Sequence, residues 1–302
     1  MSAIGFLLKR DEPGAVELCA QLVAALRARG EREVVVRGAQ MAAPLPGWIH
    51  TTSEDDLPAE LRFFVVLGGD GTMLYAAGLL ANRRVPMLGI NLGHLGFLTC
   101  CSPSEAVAIL HAALDGTLPI EPRQRLCCRV FRQDPSAADG TRLLVERVAI
   151  NDVVLSHPAQ ARLFELTAFI DGDEVTTYRA DGLIISTATG STAYNLAAGG
   201  PILMPNMDAL VLSPICPHTL TARPLVTRLH SLVEVRPGRG ADNLLLTIDG
   251  QWSQTLERSD VVHVTCADTP LDVYRPVRRS FFDLLRIKLH WGHQGPHSAG
   301  GG

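Results

Sequence analysis

Charge and aromatic residues are both scarce in this chain, at 19% and 5% of its residues. The formal net charge is −4 with a pI near 6.2, so no basic excess points to nucleic acid or to an anionic membrane as a partner. No apolar run approaches the ~18–20 residues of a membrane span. The first residues, Met1 to Lys9, lack a basic stretch ahead of their apolar run and read as a strand, not a leader. The seven cysteines include the adjacent pairs Cys100-Cys101 and Cys127-Cys128. None stands in C-x-x-C spacing, which speaks against zinc and redox roles. They read as small buried hydrophobes in a reducing cytosol, and a cytoplasmic location follows. The histidines between residues 263 and 297 show no ligand spacing, so no metal site is read from the sequence; His94, after a strand end, reads as a site-lining or a hydrogen-bonded structural residue, and His157 and His218 as surface or satisfied ones. Two phosphate signatures are also missing: G-x-x-x-x-G-K-[ST] and a strand-borne G-x-G-x-x-G. Their absence removes the Walker and Rossmann readings.

What is present is a 47% hydrophobic chain of 302 residues, enough for two cores. The first third alternates strand and helix. Strands are expected at Ala3 to Lys9, Glu33 to Arg37, Phe63 to Leu67 and Val85 to Asn91, with helices at Pro13 to Arg29, Met73 to Leu80 and Ser104 to Leu114. This order argues for a parallel, doubly wound α/β sheet. In such sheets ligands gather beyond the carboxyl ends of strands, where Asp70 and Asn91 both fall.

Near Pro119 to Arg125 the pattern changes to short β-rich runs, Leu126 to Arg132 and Leu143 to Leu155 among them. Asp139-Gly140, Asp171-Gly172 and Asp249-Gly250 separate several of these as hairpin turns. The expected organisation is an α/β domain over 1–119, an antiparallel, sandwich-like all-β domain over 120–270, and a segment 271–292 returning to the first domain through an amphipathic helix at Phe281 to Leu289. Residues 293–302 read as a disordered tail.

The stretch Gly68-Gly69-Asp70-Gly71-Thr72 follows a strand buried on both faces and precedes a helix, with Thr72 placed as its cap. Unpaired N–H groups and a positive helix end then meet at one point, which suits phosphate. A carboxylate beside phosphate repels it. Asp70 must therefore either take a proton from an attacking hydroxyl or help to hold Mg²⁺. A second polar stretch, Thr187-Ala188-Thr189-Gly190-Ser191-Thr192, offers hydroxyls and a glycine between a strand and a helix start. It reads as a phosphate or sugar cradle, or as a Ser/Thr-rich cap.

Leu67 to Thr72 resembles the first motif of the NAD kinases, which 6-phosphofructokinases and lipid kinases share more loosely. The block Ala180 to Pro201, containing Asp181-Gly182-Leu183 and Thr189-Gly190-Ser191-Thr192-Ala193-Tyr194-Asn195, is similar to the NAD kinases specifically. Asn91 to Leu98, Asn151-Asp152, Arg223-Pro224-Leu225 and Lys288 to Gly292 fit the same family in order. The resemblance implies phosphorylation of the 2′-hydroxyl of the adenosine ribose of NAD, by ATP with Mg²⁺ or by polyphosphate. It also implies NAD bound between two domains and a homodimer or homotetramer.

Carried onto this chain, the resemblance makes Asp70 the proton acceptor and lays Gly71 against the dinucleotide. Gly68, Gly69, Gly71 and Thr72 form the donor loop. Asn151 and Asp152 are expected at the adenine-side ribose or base edge, where the family usually has Asn-Glu. Asp181 is the nicotinamide-side carboxylate. Thr192, Ala193, Tyr194, Asn195, Leu196 and Ala197 form a further strip, and Arg162, Arg179 and Gln251 are outlying contacts. Two other readings use the same residues: a lipid or sphingoid kinase, and a non-catalytic NAD(P)-binding protein.

Overall fold

The computed structural model describes residues 2–10, 12–36, 46–47, 49–54, 56–81, 83–93, 95–137, 140–157, 164–275 and 279–291. The chain divides into two compact units. One comprises Met1–Met73, Pro86–Glu121 and Val273–Gly302, the other Leu74–Val85 and Pro122–Asp272.

The first unit begins with β1 (Ala3–Leu8), α1 (Pro13–Ala28), β2 (Glu33–Val36) and β3 (Thr51–Thr52), continuing to β4 (Leu61–Leu67) and α2 (Asp70–Leu80). Pro13 opens α1, where its missing N–H costs nothing. Ala15, Leu18, Cys19, Leu22, Val23 and Leu26 fall on one face of that helix and are buried. Past its end, Gly30 takes φ 72, the left-handed conformation that glycine adopts without strain. Next come β5 (Met87–Ile90), α3 (Ala106–Leu114) and β6 (Ile120–Arg123). Strand β1 pairs in parallel with both β2 and β4, and β4 in parallel with β5. Phe6, Phe63, Val65, Leu67, Leu88 and Ile90 fill the core against α1 and α3. Each such fully buried side chain contributes on the order of 1.5–3 kcal/mol.

The second unit holds twelve strands. They are β7 (Leu126–Gln133), β8 (Thr141–Ala149), β9 (Asp152–Ser156), β10 (Phe164–Ile170), β11 (Asp173–Ala180), β12 (Gly182–Thr187), then, after the short helix α4 (Tyr194–Ala197), β13 (Ala209–Ile215), β14 (Leu225–Arg228), β15 (Val233–Pro237), β16 (Leu244–Ile248), β17 (Trp252–Leu256) and β18 (Asp260–Cys266). They form two six-stranded sheets, ordered β11-β10-β15-β18-β7-β8 and β14-β13-β12-β9-β16-β17. The pairings are antiparallel. Alternate residues, such as Phe164, Leu166 and Ala168 or Val262 and Val264, point into one shared core. Asp171 and Gly172 both take positive φ between β10 and β11, as do Asp249 and Gly250 between β16 and β17. These are the hairpin turns read from their Asp-Gly pairs.

The chain then returns to the first unit. Val273 of β19 (Leu271–Tyr274) pairs in parallel with Met87, giving a seven-stranded sheet ordered β3-β2-β1-β4-β5-β19-β6. The last helix, α5 (Phe281–Leu289), is capped by Ser280, whose hydroxyl accepts from Asp283 N at 3.2 Å. Its Phe281 ring lies 6.0 Å from Phe97, so this helix packs on the first unit.

Three details differ from the sequence-based expectation. The run Leu143 to Leu155 is two strands, β8 and β9, in different sheets, broken at Ile150-Asn151. The polar pair Asn151-Asp152 sits at the break, but it reads equally as a strand edge or a bulge, and both sheets face one core. Helix α2 starts at Asp70, because Gly69 O accepts from the N–H groups of both Thr72 and Met73 at 3.0 Å. Thr72 therefore lies in the first turn and is not the cap. Finally, the segment Leu74–Val85 groups with the second unit. There Arg125 donates to Ala81 O at 2.5 Å and Arg84 to Asp272 at 2.8 Å. Among the described residues, no helix is long and apolar enough to cross a membrane.

Candidate active site

Asp70 is the first residue of α2, immediately beyond the carboxyl end of the buried strand β4. Its two carboxylate oxygens accept one backbone N–H each, from Phe97 at 2.9 Å and from Leu98 at 3.0 Å. A β-carbon at Gly96 would fall inside the Asp70 carboxylate, so the loop after β5 closes over Asp70 only because residue 96 is glycine. Gly68 is pressed against the Thr72 side chain in the same way. The result is a half-buried carboxylate of defined orientation at a helix start. Each oxygen accepts one protein N–H and keeps a lone pair for another partner.

Asn91 follows the last residue of β5 and is only 4% exposed. Its Oδ1 accepts from Gly93 N at 3.1 Å, while Nδ2 is buried without a partner. Its packing supports the loop. Its position beyond a parallel strand was visible in the sequence, but its burial was not. His94 lies outside the described residues.

In the second unit the break between β8 and β9 places Asn151 and Asp152 between two polar anchors. Asp249, from the β16–β17 turn, accepts from Ile150 N at 2.8 Å, Asn151 N at 2.7 Å and Asp152 N at 3.0 Å. From the other side, Thr187 donates through Oγ1 to Ile150 O at 2.6 Å and through its N–H to Asn151 O at 2.9 Å. Gly190 packs so closely on the Asn151 backbone that a β-carbon there would overlap it. Asp152 is buried, and desolvation, followed by the nearby Asp249 charge, pushes its carboxyl up to about 7. Burial also raises Asp249, against the opposing pull of its three N–H bonds. Nothing in the local sequence marked Asp249 as more than a hairpin residue.

The strip Thr192 to Ala197 divides into two kinds of residue. Asn195 is fully buried. Its Nδ2 donates to Ser191 O at 2.9 Å and Pro201 O at 3.1 Å, and its Oδ1 accepts from Ser213 at 2.7 Å. With the amide committed in this way, Asn195 shapes the strip from beneath. Ser191 is committed as well, donating to Ala188 O at 2.6 Å and accepting from Leu203 N at 3.0 Å. Tyr194 and Ala197 are exposed, whereas Thr192, Ala193 and Leu196 are half-buried, so these five are the accessible members. The run Thr187 to Thr192 is thus mostly a folded support and not an open cradle of hydroxyls.

The remaining candidates lie at the surface. The Asp181 side chain is 61% exposed, with Oδ1 at 3.8 Å from His218 Nε2. Arg179, on edge strand β11, donates to Glu165 at 3.0 Å. Gln251 is exposed in the turn that also carries Asp249. Arg162 lies outside the described residues. Among the described residues, no group of three or more His, Cys, Asp or Glu gathers as a metal site. The first unit also has a cavity of about 600 Å³ lined by Arg27, Glu31, Arg32, Glu33, His50 and Glu60. It opens at the amino ends of β1 and β2 and contains none of the candidate residues.

Two family models cover most of the chain: the ATP-NAD kinase N-terminal domain over residues 4–118 and the ATP-NAD kinase C-terminal domain over residues 150–275. The NAD kinase of Geobacter sulfurreducens is 39% identical over 97% of this chain and 100% of its own length. That of Gemmatimonas aurantiaca is 43% identical over 76% of this chain and 77% of its own. Among solved structures, yeast NADH kinase complexed with NADH superposes with a TM-score of 0.86 at 26% identity, covering 98% of this chain and 90% of that one. An NAD kinase from Archaeoglobus fulgidus in complex with ATP shares the fold, with a TM-score of 0.73 at 24% identity over 95% and 98% of the two chains. With both family models matched and full-length relatives at this identity, the chain belongs to the NAD kinase family.

Proposed function

We propose that this enzyme transfers the terminal phosphoryl group of ATP to the 2′-hydroxyl of the adenosine ribose of NAD, yielding NADP, with Asp70 as the general base. The observation that carries the base assignment is the pair of N–H bonds from Phe97 and Leu98 that orient the Asp70 carboxylate. A ribose hydroxyl is a poor nucleophile at neutral pH. An aligned carboxylate that accepts its proton during attack is worth roughly 10²–10⁴-fold. The positive end of α2 and the N–H groups of Gly69 and Gly71 favour the donor phosphates, while the Gly68 N–H is held by Ile90 O at 3.0 Å. Mg²⁺ accompanies the nucleotide, held mainly by its phosphates. Positioning and charge stabilisation supply most of the remaining acceleration.

In this reading the side chains of Asn151 and Asp152 hold the dinucleotide, together with Asp181, Thr192, Ala193, Tyr194, Leu196 and Ala197. Asn195 supports the strip, and Arg162, Arg179 and Gln251 are outer contacts. The yeast relative's complex with NADH supports a dinucleotide as the acceptor. The functional division into 1–119, 120–270 and 271–292, a cytoplasmic location and a homodimeric or homotetrameric state belong to the same reading, on family resemblance.

The test is incubation with NAD, ATP and Mg²⁺, with the product detected by an NADP-specific dehydrogenase. Asp70→Asn should fold and bind NAD while losing most of its turnover, by roughly 10²-fold or more. Turnover near that of wild type would end the base assignment. Lipid phosphorylation without NADP would favour the lipid-kinase reading, and tight NAD binding without turnover the non-catalytic one.

A further inference from the structure

We infer that Asp249 is a positioning residue for the dinucleotide, setting the direction of the Asn151 and Asp152 side chains by holding the backbone that carries them. The inference rests on the proposed NAD-binding role of those two residues and adds to it a residue from a distant turn.

Where the chain leaves β8 and enters β9 it changes sheet, and neither ladder pairs its N–H groups across the step. Buried backbone donors must be satisfied somewhere. Asp249 accepts all three successive N–H groups, those of Ile150, Asn151 and Asp152. The carbonyls are taken as well. Thr187 bonds those of Ile150 and Asn151, Ser186 Oγ reaches Asn151 O at 3.2 Å, and Asp152 O accepts from Asp249 N at 3.0 Å. With its backbone saturated, residues 150–152 have only side chains to offer a ligand. Asp249 itself sits at φ 51, the left-handed region, next to Gly250 at φ 65. Asp tolerates that conformation better than most residues, and it aims the carboxylate back across the turn.

An ordinary structural cap would stop there. Asp249 also places its charge against Asp152, a residue that faces the neutral Ser186 of β12 across the ladder and whose neighbour Val153 faces Ile248 of β16. Among the described residues, the charge that raises Asp152 is that of Asp249, and Arg125, Glu146 and Arg147 line one cavity with Asp249. The two carboxyls therefore titrate as a pair. Altering Asp249 changes both the direction of Asn151 and the pH at which Asp152 ionises.

The test is steady-state kinetics of Asp249→Asn and Asp249→Glu, with folding checked by circular dichroism. Asparagine can accept two of the three N–H groups but turns its own NH₂ toward the third. KM for NAD should rise about tenfold, the equivalent of one lost charge-assisted bond, with KM for ATP nearly unchanged. The pH at which KM for NAD changes should also move down in Asp249→Asn and stay in place in Asp249→Glu, which keeps the charge. A folded Asp249→Asn with unchanged KM for NAD and an unmoved pH limb would overturn the inference. So would failure of both variants to fold, because Asp249 would then belong to the fold and not to the site. Asn151→Ala is the control. If it leaves KM for NAD unchanged, the NAD-site reading has failed instead.

Discussion

Asp152→Asn should stabilise the ligand-free protein above neutral pH and leave it nearly unchanged in mild acid. Asp152 is buried against Asp249, and its carboxyl is raised from 3.8 to about 7. In the unfolded chain it ionises at its ordinary value. Below about pH 4 both states hold the proton and the group contributes no penalty. As pH rises from there, the unfolded state releases its proton first. Unfolding is then favoured by ~1.4 kcal/mol for each pH unit until the folded-state value is reached. The gap from 3.8 to about 7 is about 3 units, an upper bound of ~4 kcal/mol. Part of that belongs to Asp249 because the two carboxyls share their titration, so ~2–4 kcal/mol is expected. Asparagine matches the carboxyl in shape and never ionises. The assay is urea unfolding of both proteins, followed by circular dichroism at about pH 4.5 and about pH 8. The quantity of interest is how the difference between the proteins changes with pH, since their other carboxylates cancel. A difference constant to within ~0.5 kcal/mol across that range would refute the buried-pair argument.

Gly96→Ala should lower both the melting temperature and kcat, the latter by about tenfold or more, because the added methyl displaces the Asp70 carboxylate from its bonds to the Phe97 and Leu98 N–H groups; unchanged kcat would refute the packing argument. Arg125 is 1% exposed and donates to Ala81 O, Thr269 O and Thr269 Oγ1. Arg125→Met should therefore cost roughly 2–4 kcal/mol in urea unfolding through the acceptors it leaves unpaired. Five of the seven thiols are buried and Cys216 is exposed, so a thiol reagent should label Cys216 first in the native protein. Rapid modification of Cys100 or Cys128, both buried, would contradict the packing.

Where local chemistry sufficed, the fold could be read directly. The apolar run Phe63 to Leu67, short, β-branched and aromatic with glycines behind it, reads as a buried strand ending in a tight turn, and the alternation of strands with helices around it makes the sheet parallel. Asp171-Gly172 and Asp249-Gly250 announced hairpins because both positions need positive φ. Other features depended on partners far along the chain. The polar pair Asn151-Asp152 interrupts the apolar run Val148 to Leu155, but such a pair marks a strand edge or a bulge as readily as a change of sheet. Asn195 read as part of the dinucleotide strip, yet its amide is consumed by Ser191, Pro201 and Ser213.

The amino-acid sequence by itself therefore determined the α/β-then-β architecture, the carboxylate at the glycine loop and membership of the NAD kinase family. Each of these is written in short windows of hydrophobic period, turn chemistry and motif. Only the tertiary structure decided which polar residues are free to act. Asp70 is aimed by amides of Phe97 and Leu98, and Asn151 and Asp152 are held by Asp249 from a turn almost a hundred residues away. Hydrogen bonding and desolvation act through space, so the same Asp can be a turn residue, a base or a buried acid according to what the fold brings against it.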